Sequence, residues 1–220
     1  MRSLRSLRRR GPGVLRNAVS LILGCFLAGC VASSLPAEAA DTSATWSSLP
    51  ALPDAEGFAG MFAGVGGETL LVAGGANFPG QRPWEGGTKA WYDSIYALSA
   101  GAAAWTNAGK LPRPLAYGVS VQTDRGVLCA GGADAAKHYA DSFLMQWKSG
   151  SVAIEPLPPL PQPCAYFCGA QLGKVVYVAG GTVDPQATSA LKTFWALDLA
   201  DARPQWRTLE PWPGDRKSDV

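Results

Sequence analysis

The chain contains little charge and almost no histidine. Charged residues make up 16% of its 220 residues, and His138 is the single histidine. A copper centre built from several His and Tyr ligands is therefore disfavoured. The cysteines show no spacing with histidine that is typical of a metal site, so we predict no metal ligands.

The apolar run near the N-terminus is too short to cross a membrane. Residues 18–29 form a run of 12 residues, whereas a membrane-spanning helix needs about 20. Six of the 19 basic residues and no acidic residue precede residue 30. A basic start followed by a short apolar core is typical of a secretion signal, so we predict that residues 1–29 are a signal peptide.

Removing the predicted signal reverses the net charge of the chain. The charge falls from +2 to about −4, because residues 1–29 hold six basic residues and no acidic one. Nucleic acid attracts basic surfaces. We therefore expect no nucleic-acid partner.

Two cleavage sites follow the apolar run. Residues 27–30 read Leu-Ala-Gly-Cys, a lipobox in which Cys30 would be acylated and would become the new N-terminus. Cleavage before Ala40 would instead release a soluble protein. We favour the lipobox, with residues 30–44 as a flexible tether and membrane contact through the lipid anchor alone. Both alternatives predict export to the periplasm or cell envelope.

The folded part has an odd number of cysteines for an exported protein. They are Cys129, Cys164 and Cys168. The last two lie four residues apart in a predicted strand, about 13 Å from each other at ~3.3 Å per residue, which is too far for a disulfide. We expect all three to be small buried side chains.

Glycine and proline, by contrast, are abundant. The 26 Gly and 17 Pro make up about a fifth of the chain. They would break helices repeatedly, whereas short strands joined by tight turns can accommodate them. The composition therefore predicts an all-β protein.

An internal repeat organises the chain after residue 45. Apolar strands that end in Gly-Gly occur at residues 70–75, 127–132 and 176–181. A second apolar strand follows each one, and then comes a short strand with Trp105, Ile154 or Trp206. Proline-rich links after the first two repeats lead into the next copy. Four short strands per ~50 residues with this glycine pair predict the blades of a kelch-type β-propeller.

The repeat count predicts an incomplete ring. Residues 45–214 hold three blades, with residues 215–220 as a tail, while closed propellers have about four to eight blades. We interpret the chain as a truncated product or a fragment. The alternative is half of a ring that associates with a second copy through its open blade edges. Residues 45–53 match a fourth strand and its link without their first three strands, which is typical of a ring closed by strand exchange.

Several segments resemble a known family. Residues 56–65, 71–76, 84–89, 92–95 and 116–120 are similar to the kelch propellers of the N-acetylneuraminate epimerase family, especially its cyclically permuted members. The resemblance implies a six-bladed ring that interconverts the anomers of sialic acid outside the cytoplasm and needs no cofactor. The glutamate and arginine proposed as catalytic in that family would lie after residue 220, so neither role is transferred here. The alternative is a non-catalytic kelch module that binds glycan or a protein at the cell envelope.

The candidate site lies where the turns after the second strands meet the links between blades. In the first blade this turn spans 20 residues, against 11 and 13 in the others. We predict that Glu85 takes part in proton transfer and that Arg113 anchors the carboxylate of a sugar acid. The further substrate-binding candidates are Asn77, Trp84, Lys89, Trp91, Tyr117 and His138. The alternative is that Glu85 and Arg113 are solvated charges at the rim.

Comparison of the blades indicates structural roles for some residues. Residues 89–94 align with residues 137–142 without a gap. The shared Asp93 and Asp141 are expected to hold the turn through bonds to backbone amides. His138 is expected to be exposed beside a turn.

Overall fold

The structure is a computed structural model that describes residues 44–211 and residue 213. Its secondary structure is almost wholly β, with one short 3-10 helix at Pro83–Glu85. The strands of the first repeat are β1 (Phe62–Gly66), β2 (Thr69–Ala73), β3 (Ala76–Asn77), β4 (Ala90–Trp91), β5 (Ser94–Ser99) and β6 (Thr106–Lys110). Those of the second are β7 (Val119–Thr123), β8 (Gly126–Ala130), β9 (Ser142–Lys148) and β10 (Ser151–Leu157). Those of the third are β11 (Ala165–Leu172), β12 (Val175–Thr182), β13 (Phe194–Asp198) and β14 (Trp206–Thr208).

The strands form three four-stranded antiparallel sheets, one per repeat, in which chain neighbours pair in order. The first sheet has the order β1-β2-β5-β6, because β3 and β4 pair separately as a two-stranded insertion. We call the sheets blades 1, 2 and 3. The prediction of an all-β chain with three four-stranded blades is confirmed.

Two separate cores hold the blades together. The core between blades 1 and 2 contains Phe62, Val127 and Met145. The core between blades 2 and 3 contains Leu128 and Leu144. Successive residues of a strand point to opposite faces of the sheet, so neighbouring residues of β8 and β9 enter different cores. This is why residues 127–130 of β8 and 143–145 of β9 are apolar without a break: both faces of the sheet are buried there.

The glycine pairs allow blades to approach one another closely. Gly74 and Gly131 have φ of +68° and +63°. A Cβ atom would lie 2.2 Å from the carbonyl oxygen of Leu115 at the first position and 2.3 Å from that of Cys164 at the second. The next glycine of each pair donates its amide to that same oxygen, at 2.9 and 2.8 Å. Glycine is therefore required both for the left-handed turn and for the contact with the next blade.

Of residues 45–53, which were predicted to form a fourth strand and a link, only the link has the predicted structure. Nε1 of Trp105 donates to the carbonyl oxygen of Pro50 at 2.8 Å. Trp206 makes the equivalent bond to Pro158, in the link between blades 2 and 3, at 3.0 Å. The strand expected at Thr45 and Trp46 is absent from the described structure. A strand requires a hydrogen-bonded neighbour, and the described residues pair no strand with this segment.

The gap-free alignment of the turns in blades 1 and 2 was wrong by one residue. The amide of Tyr92 donates to Gly75, and the amide of Tyr139 donates to the matching Gly132. Tyr92 thus corresponds to Tyr139 in space, whereas the alignment paired Tyr139 with Trp91. The insertion in blade 1 changes the length of the turn, so the recurrence of Lys, an aromatic residue and Asp-Ser is not a structural repeat.

The prediction for the cysteines holds for two of the three. All three are free; Cys129 and Cys164 are buried, but Cys168 is exposed. Between Cys164 and Cys168 the chain passes through Tyr166, whose φ is +60°. The extended conformation is broken there, so the alternation of faces does not carry across the segment. Burial raises the pKa of Cys164 to about 12.

Several predictions fall outside the described residues. These are the signal peptide at residues 1–29, the acylated Cys30 with most of its tether, and the tail at residues 215–220. Within residues 44–211 and 213, no helix is both long and apolar enough to cross a membrane.

Candidate functional site

A cavity of about 350 Å³ lies beside the insertion of blade 1. We call residues 76–91, from β3 to β4, the arm. The arm forms one wall, the segment before β1 forms another, and Tyr117 closes the side toward blade 2. The cavity, here named the Lys89 cavity, is lined by Glu56, Gly57, Phe58, Ala59, Ala76, Asn77, Phe78, Arg82, Pro83, Trp84, Lys89 and Tyr117.

The arm is held in shape by its own backbone and by one capped turn. Ala76 pairs with Trp91 and Asn77 with Ala90. At the tip, the Glu85 carboxylate accepts a hydrogen bond of 3.1 Å from the amide of Arg82 and so closes the 3-10 turn. The tip therefore has a defined conformation, although its side chains are exposed.

Asn77 ties the arm to the segment before β1. Its Nδ2 donates to the Asp54 carboxylate at 3.0 Å and to the Gly57 carbonyl at 2.8 Å. Its Oδ1 accepts from the Tyr92 hydroxyl at 2.8 Å. The side chain is 8% exposed. Asn77 thus shapes the cavity wall, and its amide group is already engaged by protein partners.

The Lys89 ammonium lies among aromatic rings. Nζ is 4.4 Å from the ring centre of Tyr117, 5.3 Å from that of Trp91 and 5.8 Å from that of Phe78. Contacts of this kind stabilise a cation by about 0.5–2 kcal/mol each, depending on its solvation. The three rings therefore hold the charge at a fixed place on the cavity wall.

Tyr117 is itself fixed by blades on both sides. Its φ is +63°. Its amide donates to Gly60 of blade 1, and its carbonyl accepts from Tyr166 of blade 3, both at 2.8 Å. Burial, followed by the proximity of Tyr117, raises the pKa of Tyr166. The ring that contacts Lys89 is thus positioned by contacts that exist only once blades pack.

The second cation of the cavity is on the arm tip. The Arg82 guanidinium lies 5.5 Å from the ring centre of Trp84, and the Trp84 side chain is 75% exposed. Among the described residues, no carboxylate oxygen lies within 4.0 Å of the charged groups of Arg82 or Lys89. Glu56 supplies the one carboxylate of the lining. The cavity thus suits a polar ligand with negative charge.

The two predicted catalytic residues are not brought together. The Glu85 carboxylate is turned back to the Arg82 amide, and Glu85 does not line the Lys89 cavity. Arg113 lines a different cavity of about 340 Å³, together with Asp141, Ser142 and apolar side chains. Its guanidinium pairs with the Asp141 carboxylate at 3.3 Å.

The two aspartates of the turns pair with cations instead of backbone amides, contrary to expectation. The carboxylate of Asp93 pairs with Lys110 at 3.2 Å, and that of Asp141 pairs with Arg113. Both acids lie beside a basic side chain that emerges at the same end of the blades. A charge-assisted contact with Lys or Arg is stronger than one with a neutral amide.

His138 is buried, contrary to the expectation of an exposed side chain. It is 4% exposed, and Nδ1 lies 3.0 Å from the carbonyl oxygen of Thr182 in blade 3. Its ring packs edge-on against Tyr166 at 5.8 Å. His138 lines none of the cavities named above and joins blades 2 and 3.

Of the predicted substrate-binding residues, four line the Lys89 cavity: Asn77, Trp84, Lys89 and Tyr117. Trp91 stands behind Lys89, and its indole nitrogen is buried without a hydrogen-bond partner. The cavity is also lined by Arg82 and by three residues that were not predicted from the sequence: Glu56, Phe58 and Phe78. Arg82 belongs to the insertion of blade 1, which has no counterpart in the other blades. This lack of a counterpart marks Arg82 as a functional candidate from the sequence alone.

These features define a class. The chain has three four-stranded blades with Gly-Gly turns, and these blades pack face to face. This is the architecture of a partial kelch-type β-propeller. The family model of N-acetylneuraminate epimerase matches residues 16–154. The chain belongs to the N-acetylneuraminate epimerase family.

The chain is similar to several proteins named N-acetylneuraminate epimerase. The chain is 39% identical over 131 residues to an N-acetylneuraminate epimerase of Brucella suis, which covers 52% of the chain and 33% of that protein. It is 40% identical over 133 residues to one of Yersinia enterocolitica, with the same shares. A Yersinia pestis relative is 42% identical over 113 residues, 46% of the chain and 28% of that protein. The chain thus spans about a third of the length of the curated relatives it matches.

Proposed function

We propose that the protein binds N-acetylneuraminate in the Lys89 cavity and contributes to a propeller that interconverts the anomers of this sugar. The observation that supports the proposal is that the cavity lies in the part of the chain that the family model matches. Every residue that lines the cavity lies within the matched residues 16–154. Two cations without a carboxylate partner fit the acid group of the substrate, and aromatic side chains fit its ring.

The chemistry of anomer exchange is a pair of proton transfers. Ring opening removes the proton of the anomeric hydroxyl and delivers a proton to the ring oxygen, and closure on the other face of the carbonyl reverses both steps. Each well-placed transfer is worth roughly 10²–10⁴ in rate. Of the acidic residues, Glu56 lines the cavity, so its carboxylate is the candidate that can reach a bound sugar.

A second function, binding without catalysis, is favoured by one observation. The lining of the cavity has a single carboxylate, whereas the reaction moves two protons. The carboxylate of Glu85, the predicted acid, accepts a hydrogen bond from the backbone amide of Arg82 in the arm. A chain with this cavity alone would recognise a sialic acid at the cell envelope and leave its anomers to exchange at the rate of the solution.

NMR exchange spectroscopy on the full chain separates the two. We expect the exchange rate between the anomers of N-acetylneuraminate to rise in proportion to protein concentration. Saturation transfer from protein to sugar without a rise in rate would favour binding alone. If the sugar receives no saturation transfer and its exchange rate does not rise, both functions are contradicted. The Lys137→Met variant, whose lysine lies outside the cavity, is the control and is expected to behave as the wild type does.

The proposed place of action is outside the cytoplasm. The basic start, short apolar core and Cys30 of the N-terminal region support export with a lipid anchor. A sialic acid released outside the cell would then meet the propeller before uptake.

A further inference from the structure

Lys89 stands apart from the paired cations of the described structure. Lys110 and Arg113 each have a carboxylate partner, at 3.2 and 3.3 Å. Lys89 has aromatic rings around its Nζ and no carboxylate oxygen within 4.0 Å among the described residues. Its charge is therefore positioned but not neutralised.

Blade 2 also places a lysine over an aromatic ring, with an acidic residue near it. Nζ of Lys137 lies 5.1 Å from the ring centre of Tyr139, and the backbone amide of Lys137 donates to the Asp134 carboxylate at 3.0 Å. Burial raises the pKa of Asp134, but hydrogen bonds from Tyr139 and two amides, with the charge of Lys137, bring it below its ordinary value. No carboxylate oxygen lies within 4.0 Å of the Lys137 ammonium among the described residues, but its charge and that of Asp134 partly offset each other.

In blade 1 the place of that acid is taken by an amide. Asp134 accepts the Tyr139 hydroxyl at 2.5 Å, and Asn77 accepts the Tyr92 hydroxyl at 2.8 Å in the same way. Both residues come two positions after the second glycine of their blade. Asn77 and Lys89 line the same cavity. Its charged lining residues are Lys89, Arg82 and Glu56, so the wall carries a net positive charge.

We propose that Lys89 is the residue that binds the carboxylate of the sugar acid, and that it makes the site select acidic over neutral sugars. This rests on the proposed function of the cavity. Because three rings hold Nζ in place, little conformational freedom remains to be lost when an anion binds. Arg113, which the sequence suggested for this role, pairs with Asp141 and lines the other cavity.

Chemical labelling of the full chain tests the contact directly. Trace acetylation of amines with acetic anhydride is followed peptide by peptide by mass spectrometry, with increasing N-acetylneuraminate. We expect the labelling rate of Lys89 to fall at least about threefold while that of Lys137 stays constant. The neutral sugar N-acetylmannosamine is expected to give no protection. Equal labelling of Lys89 with and without N-acetylneuraminate would overturn the proposal.

Variants test the energetic role. In Lys89→Met the dissociation constant for N-acetylneuraminate, measured by NMR titration, is expected to rise about tenfold or more, since a charge-assisted contact is lost. Lys89→Arg keeps the charge and is expected to stay within about threefold of the wild type. Lys137→Met is the matched control. An unchanged dissociation constant in Lys89→Met would refute the role, and if that variant does not fold, the labelling of the wild type decides.

The outcome is distinguishable from that of the proposed function. Protection of Lys89 without faster anomer exchange would support the carboxylate contact and contradict catalysis. Faster exchange with Lys89 unprotected would support catalysis and overturn the contact. Absence of both would overturn both.

Discussion

The backbone amide of Tyr166 donates a hydrogen bond of 2.8 Å to the carbonyl oxygen of Tyr117, and the two rings stack at 4.7 Å. Tyr117 makes the same backbone contact to Gly60 of the preceding blade. All three residues have φ between +60° and +65°. For tyrosine this conformation costs about 1–2 kcal/mol. The hydrogen bonds between blades stabilise the left-handed conformation of Tyr117. This conformation places the Tyr117 ring against Lys89.

The close approach of blades predicts unequal effects of two identical substitutions. Gly74 and Gly180 are equivalent glycines with φ of +68° and +79°, but a Cβ atom at Gly180 would meet nothing within 4 Å. Gly180→Ala should lower the free energy of unfolding by about 1–2 kcal/mol through its left-handed φ alone. Gly74→Ala should cost about 1–3 kcal/mol more, because the new methyl group meets the Leu115 carbonyl. Urea unfolding of both variants measures this, and equal losses would contradict it.

The acid that serves the cavity can be identified by comparing two glutamates. Glu56 lines the cavity, and Glu85 caps the turn of the arm. If the full chain exchanges sialic acid anomers, Glu56→Gln should slow the exchange about 10²-fold, as expected for loss of a proton-transfer group. Glu85→Gln should slow it less, since an amide oxygen can also accept the Arg82 hydrogen bond. A larger loss in Glu85→Gln, followed by NMR, would restore the sequence-based prediction.

Thiol labelling should follow the burial of the three cysteines. Cys168 is exposed, whereas Cys129 and Cys164 are buried. Burial raises the pKa of the Cys129 thiol well above its ordinary value, and only the thiolate reacts readily. Maleimide treatment of the native chain should label Cys168 alone among these three, with the other two labelled after addition of urea. Peptide mapping provides the measurement, and native labelling of Cys129 would contradict the packing of blades 1 and 2.

The buried Cys164 thiol should make stability fall with rising pH. Burial raises its pKa from 9.0 to about 12, so above pH 9 the unfolded chain releases a proton that the folded chain retains. The free energy of unfolding then falls by up to about 1.4 kcal/mol per pH unit until the folded pKa is reached. Below pH 9 this contribution is fully present. In Cys164→Ala the slope between pH 8.5 and about 10.5 should be smaller by this amount, and an unchanged slope would be evidence against it.

The anchor prediction concerns the N-terminus. Cys30 completes the lipobox at residues 27–30, so membrane extracts should contain a chain that starts at an acylated Cys30. Mass spectrometry of the N-terminal peptide is the measurement, and Cys30→Ser should move the protein out of the membrane fraction. A soluble chain that starts at Ala40 would instead support ordinary cleavage.

The strands and turns were predictable because their causes are local. An apolar strand closed by Gly-Gly has one low-energy continuation, a left-handed turn, so the order of strands in each blade followed from residues 70–75 and their two copies. The correspondence between turns was less accurate. The arm lengthens the turn of blade 1, and no local signal shows that Tyr92 and not Trp91 occupies the place of Tyr139.

The sequence by itself determined the all-β class, the three repeats and the family, because each depends on residue types at short and regular spacing. The tertiary structure decided which charges are free. Arg113 and Lys89 are both basic residues near the same end of the blades, yet Arg113 meets Asp141 and Lys89 meets the rings of Tyr117, Trp91 and Phe78. Contacts between residues distant in the chain depend on how blades pack, and a charge is available to a ligand only where that packing brings no opposite charge to it.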